Sequence, residues 1–238
     1  MEEEMFEIEN QKVITEEDVE KLVEGLESES TNDYWKEHTL REHIYLNENG
    51  DKYMQILKTD SPTTPFIPRR YEDNKWKTGT KGLTYIPYKL PELKKAVKEN
   101  KVIFITNGEK EADTLEELGF VATTAPFMIP TKWNSTCNQY VKGATVVVIK
   151  ELSDYGKEFA DTTMRRLSYS ARTSICLSLE KVCKILNIEG NEKTDITSIR
   201  NKLKNDEELI NLLHSVENLA KKRKEGVAQW QEKMYMNL

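Results

Sequence analysis

Val102-Ile-Phe-Ile-Thr-Asn-Gly-Glu-Lys-Glu-Ala-Asp-Thr-Leu-Glu-Glu-Leu-Gly-Phe-Val-Ala-Thr-Thr124 decides the fold. Its apolar run, Val102 to Ile105, meets a polar Thr106-Asn107-Gly108 turn. Ala112, Leu115 and Leu118 then recur at helical spacing until Gly119 ends the pattern. Four apolar residues in succession mark a strand covered on both faces, as in a parallel sheet. A second run, Thr145-Val-Val-Val-Ile149, leads in the same way into a helix expected over 155–171, with Phe159, Met164 and Leu167 facing inward. Strands alternating with helices at this spacing form right-handed βαβ units. Ligands of such sheets bind where strands give way to helices. The polar junctions Asn107-Gly108-Glu109 and Glu151-Leu152-Ser153-Asp154 are therefore the first place to look for chemistry.

Upstream, Leu90-Pro91-Glu92 opens a helix with proline in its first turn. From His43 to Tyr88 the texture changes to short alternating pieces. Ile44–Leu46 and Tyr53–Leu57 flank Asn47–Asp51, whose Asn49-Gly50 is a hairpin signal. Thr59–Pro68 reads as a loop and Lys75–Gly82 as a polar, flexible stretch before Leu83–Pro87 resumes an extended run. Residues 52–101 hold 12 Lys and Arg against five acids, interleaved with aromatic rings. Cations for phosphates beside rings for bases suit single-stranded nucleic acid, with Arg69, Arg70, Lys75, Trp76 and Lys77 as the exposed cluster. The alternative is that these rings form a small sheet core while the lysines protect its edges.

Downstream, Val121–Thr124 reads as a short strand, and Pro126-Phe-Met-Ile-Pro130 as an apolar loop before a short helix ending near Tyr140. Thr173–Leu179 is a further strand, and residues 180–238 are helical around a Glu189–Asp195 loop. The expected organisation is an acidic arm over 1–40, a β-rich subdomain over 41–100, an α/β domain over 101–204 and a C-terminal helix over 205–238.

Residues 1–37 carry 14 acidic side chains against three basic ones, a balance of −11; with −6 over the whole chain, the rest carries +5. Such asymmetry allows a nucleic-acid surface on the body or a protein partner for the arm. Within the arm, Thr15-Glu16-Glu17-Asp18 starts a short amphipathic helix. No apolar stretch reaches the roughly 20 residues of a membrane span. The Met-Glu-Glu-Glu start is the opposite of a basic signal-peptide region. Three cysteines without a C-x-x-C pair support neither a disulfide framework nor a zinc ribbon, so a cytoplasmic location is expected. His38, His43 and His214 are too scattered for a ligand cluster and are expected at the surface.

Tyr88-Lys-Leu-Pro-Glu-Leu93, Val102–Asp113, Leu118–Pro126, Lys132-Trp133, Val146–Ile149, Gly156 and Phe159-Ala160 together resemble the Toprim-domain proteins of phage and plasmid replication, the primase and primase–helicase type. The resemblance covers about 150 residues, from Tyr53 to about Leu203. It implies a mostly parallel sheet flanked by helices, preceded by a small β-rich subdomain and followed by helices. In that family a Glu before Gly after the first strand, and an Asp-x-Asp after a later one, hold Mg²⁺ for phosphoryl transfer. The corresponding positions here are Asn107, Glu151 and Ser153, which leaves one carboxylate in register. A rearranged site from Glu109, Glu151 and Asp154 is one compensation; the other reading is that Glu109 and Asp154 favour the positive ends of helices. Asp195 falls in a loop where a further family acid often lies. Phe127, Met128 and Ile129 stand where the family loop is glycine-rich, which suits a protein contact.

The expectation is therefore a catalytically degenerate Toprim-like protein of phage or mobile-element type. It would act by binding to nucleic-acid machinery, as a replication accessory or as an inhibitor of a host or defence nuclease. The alternative is an active Mg²⁺-dependent primase or nuclease-like enzyme. No cofactor is expected unless a rearranged site holds Mg²⁺. The expected partner is a protein of nucleic-acid processing or single-stranded nucleic acid, and no membrane.

Overall fold

The computed structural model describes residues 37–126 and 133–236. The acidic arm up to residue 36, with its expected helix, and Phe127, Met128 and Ile129 lie outside the described residues.

Four antiparallel strands come first, β1 (Thr39–Leu46), β2 (Lys52–Thr59), β3 (Phe66–Glu72) and β4 (Lys75–Thr78), in that order across the sheet. The expected hairpin is present: Asn47 Oδ1 accepts from the backbone N–H of Asn49 and Asp51 and closes the turn. Two expectations are corrected. Phe66, Ile67 and Pro68 belong to a strand rather than a loop, and Lys75–Thr78 is its partner rather than a flexible segment. The physical reason is the pair Asp73-Asn74, both at positive φ (53° and 60°). Two consecutive residues in that region form the hairpin turn whose twist matches its strands. Tyr71 and Trp76 then meet across the ladder with ring centroids 4.9 Å apart. Leu83–Pro87, expected as an extended run, joins no ladder.

The rest is α/β. Its parallel sheet holds β5 (Val102–Ile105), β6 (Val121–Thr123), β7 (Thr145–Lys150) and β8 (Thr173–Ser178) in the order β6-β5-β7-β8. Helices flank it: α1 (Leu90–Lys98), α2 (Glu109–Glu117), α3 (Ser135–Asn138), α4 (Asp154–Leu167), α5 (Leu179–Ile185), α6 (Ile196–Lys202) and α7 (Glu207–Met236). The two apolar runs of β5 and β7 are buried along their whole length, apart from Lys150. Each such Val, Ile or Phe contributes roughly 1.5–3 kcal/mol by leaving water. α1 packs on β5 and β6 and also touches β1 of the antiparallel sheet.

One apolar cluster runs through both sheets. Tyr45, Met54 and Ile56 of the antiparallel sheet share it with Phe104 and Val147 of the parallel one. No helix among the described residues is long and apolar enough to cross a membrane.

Candidate functional site

The strand order places the start of the chain path in the middle of the sheet. From β5 the chain crosses to β6 on one side and then to β7 on the other. Between β5 and β7 lies the topological switch point, and the crevice outside the carboxyl ends of those strands is where open α/β sheets hold ligands. A cleft of about 490 Å³ opens there. Its floor is the Asn107–Glu111 turn with Glu151. One wall is the cross-strand row Arg41, Lys58 and Phe66 of the antiparallel sheet; the other is the loop Glu192–Asp195.

Local hydrogen bonds fix the floor. Thr106 Oγ1 donates to the Gly108 carbonyl at 2.9 Å, and Thr124 Oγ1 to the Thr106 carbonyl at 2.8 Å. At the two junctions Asn107 and Glu151 hold one another. Asn107 Nδ2 donates to Glu151 Oε2 at 3.1 Å, while Asn107 Oδ1 is buried without a partner. Ser153 caps α4, its Oγ accepting from the Gly156 backbone N–H at 2.9 Å. Gly156 is needed at that point: a Cβ there would lie 2.5 Å from Glu151 Cβ and 2.8 Å from Glu151 Oε2.

The compensating acids separate. Glu109 is only 5% exposed and accepts from the Tyr45 hydroxyl at 2.6 Å. Burial, reinforced by that carboxylate, pushes the Tyr45 phenol well above its ordinary pKa, so the proton stays on Tyr45. Asp154 does not line the cleft; its fully exposed side chain pairs with Lys157 at 2.9 Å. Glu109, Glu151 and Asp154 therefore do not form one site.

A different group of acids does converge. Glu111 lies over Gly108, where a Cβ would come within 2.6 Å of its Oε2, and faces Asp195 and Glu151. Burial, then the charge of Asp195, pushes the Glu111 carboxyl up to about 8. Against the cost of its own burial, hydrogen bonds from Lys110, at 2.7 Å, and from Ser198 hold Asp195 below the usual carboxylate range. Asp195 and Ser198 also form a reciprocal capping box at the start of α6. Burial raises Glu151 too, with the Asn107 amide opposing. One proton on Glu111 and one cation, Lys110, thus let Glu111, Glu151 and Asp195 converge in the cleft. Among the described residues, no group of three His, Cys, Asp or Glu side chains is spaced to hold a metal ion. The donor set does not fit Mg²⁺: Asn107 turns an N–H₂ toward Glu151, and Ser153 is engaged as a cap.

Compared with family models, curated proteins and solved structures, the chain has no match in any of the three.

The basic and aromatic cluster of the antiparallel sheet is divided between two faces, Arg70, Lys75 and Lys77 on one and Arg69 and Trp76 on the other. Arg70 and Lys77 both pair with Glu72, and Lys77 also pairs with Asp73. Arg69 is half-buried and donates to Gln55 and to the Trp76 carbonyl. Trp76 packs on Tyr71, which leaves Lys75 exposed. His43, expected at the surface, is 5% exposed, edge-on to Tyr88 and 3.3 Å from Asp113. Glu111 escaped the sequence reading because its meaning lies in a contact with Asp195, 84 positions away; the position of Asp195 in an inter-helix loop was the one available signal.

Proposed function

We propose that this chain is a Toprim-like protein whose site has lost its catalytic charge. It acts by binding to nucleic-acid machinery of a phage or mobile element, as a replication accessory or as an inhibitor of a host or defence nuclease. The observation that carries this reading is the Asn107–Glu151 hydrogen bond at the switch point, backed by Ser153 serving as the α4 cap. In the family resembled, these positions are three carboxylates that orient phosphates through Mg²⁺. Here one carboxylate remains, tied to an amide, and its neighbour Glu111 holds a proton.

The test is calorimetric titration with Mg²⁺ and Mn²⁺, together with nicking and priming assays on single and double strands, for the wild type and Glu151→Ala. The expected result is no metal-dependent turnover from either protein, with a specific partner recovered from host lysate by both. Robust metal-dependent turnover that Glu151→Ala abolishes would overturn the reading.

A further inference from the structure

The pole opposite the cleft, at the amino ends of the parallel strands, has a different character. Arg165 and Arg166 lie in the last turn of α4, and Tyr169 follows in the turn that leaves it. Lys142 precedes β7 and Arg172 precedes β8. Backbone hydrogen bonds bring these segments side by side: Gly143 N–H donates to the Ser170 carbonyl at 2.8 Å, and Arg172 N–H to the Ala144 carbonyl at 2.9 Å. Lys142, Arg165 and Arg172 are exposed and make no ion pair among the described residues. Some cations elsewhere on the surface are matched, as in Lys150 with Asp161 and Arg200 with Glu117 and Asp206. Others, such as Lys75 and Lys98, are exposed without an ion pair among the described residues but have no uncovered aromatic ring of Tyr169's exposure beside them.

Tyr169 projects from the middle of this patch with 93% of its surface in water, more than any other large apolar side chain described. Beside it is a concavity of about 360 Å³ lined by Asn138, Thr162, Arg165, Arg166 and Tyr169. Its wall is fixed: Trp133 Nε1 donates to Asn138 Oδ1 at 2.8 Å, Asn138 Nδ2 donates to the Arg166 carbonyl at 3.1 Å, and Arg166 donates to the Trp133 carbonyl. The α4 dipole accounts for Arg165 and Arg166, because cations favour a helix carboxyl end. It does not account for Lys142 or Arg172, which precede strands.

We propose that this pole is a docking surface for single-stranded nucleic acid. Lys142, Arg165 and Arg172 neutralise successive phosphates, and a base stacks on the uncovered Tyr169 ring. Single strands are bound by this pairing of unmatched cations with a free aromatic face. The inference stands apart from the catalytic state of the cleft, since none of these residues touches it.

Fluorescence anisotropy of the full chain with a labelled oligothymidylate of about 16 nucleotides tests the surface. The wild type should bind with an affinity that falls as salt rises. Arg165→Ala combined with Arg172→Ala should weaken binding about tenfold and reduce the slope of log affinity against log salt by about 1.4, two phosphate contacts' worth. Tyr169→Ala should weaken it on the order of tenfold without changing that slope, and Tyr169→Phe should keep wild-type affinity. Lys75→Ala, on the other sheet, should bind as wild type. Absence of salt-sensitive strand binding by the wild type overturns the proposal, as do Arg165, Arg172 and Tyr169 variants that bind unchanged. Capture of an acidic peptide by these residues, with no affinity for the strand, overturns it equally.

Discussion

The two poles of the parallel sheet solve opposite problems with charge. At the carboxyl pole the ionisable groups are turned on one another: Asn107 on Glu151, Tyr45 on Glu109, Lys110 on Asp195, with a proton held on Glu111. At the amino pole Lys142, Arg165 and Arg172 have no acid to meet, and Tyr169 stands uncovered. A group satisfied inside its own fold is costly to alter and has little left for a ligand. A solvated cation is the reverse, because its removal changes association far more than stability. The difference separates where this protein holds itself together from where it is free to hold something else.

That contrast can be broken at four points. The largest effect belongs to Gly156→Ala. Alanine in place of glycine normally favours a helix by about 1 kcal/mol. Here the new Cβ would meet Glu151 at 2.5 Å, so urea unfolding should show a loss of about 2–3 kcal/mol. A gain would mean that the carboxyl pole is loosely packed. Next, Tyr45→Phe removes the donor to buried Glu109, and should cost about 1–3 kcal/mol in the same measurement.

Third is the pH dependence of Glu111. A carboxyl whose folded pKa is raised binds an extra proton in the native state between its unfolded value, about 4.3, and its folded one. Stability from this proton is therefore full below pH 4.3 and is lost as pH climbs toward about 8. Glu111→Gln, which cannot ionise, should flatten that decline and be more stable than wild type at pH 8.5 by about 1–2 kcal/mol. Parallel pH–stability curves for the two proteins would remove the proton from Glu111. The smallest effect is expected at the other pole, where Arg165→Ala and Arg172→Ala should each move stability by no more than about 0.5 kcal/mol. A loss of 2 kcal/mol at either position would make that pole structural.

The α/β half was legible because its signals are local. Val102–Ile105 and Val146–Ile149 had to be strands covered on both faces, Leu90-Pro91 opens a helix where expected, and the helix expected over 155–171 spans Asp154–Leu167. The β3–β4 hairpin was missed because its signal is conformational: Asp73 and Asn74 adopt positive φ without a glycine to announce it. Residues of both junctions, Asn107-Gly108-Glu109 and Glu151, line the cleft. Which acids meet there was not legible, since Glu109 and Glu111 look alike along the chain. Their opposite fates depend on Tyr45, from 64 positions upstream, and on Asp195, from 84 positions downstream. The cluster at 69–77 is split between the faces of β3 and β4, with Arg70, Lys75 and Lys77 on one and Arg69 and Trp76 on the other, a division set by alternation once the hairpin register is known.

Tyr45 also bears on how the chain can be divided. Its ring is wholly buried, tilted at 52° against Tyr88 with centroids 5.0 Å apart, and its hydroxyl ends on a residue of α2. Met54 and Ile56 are covered by the same cluster. A fragment ending near residue 100 would present these side chains to water and leave Glu109 on the other piece without its donor. The antiparallel sheet is therefore not a portable module: it can be grafted, shuffled or expressed only together with the strands and helices that close its inner face.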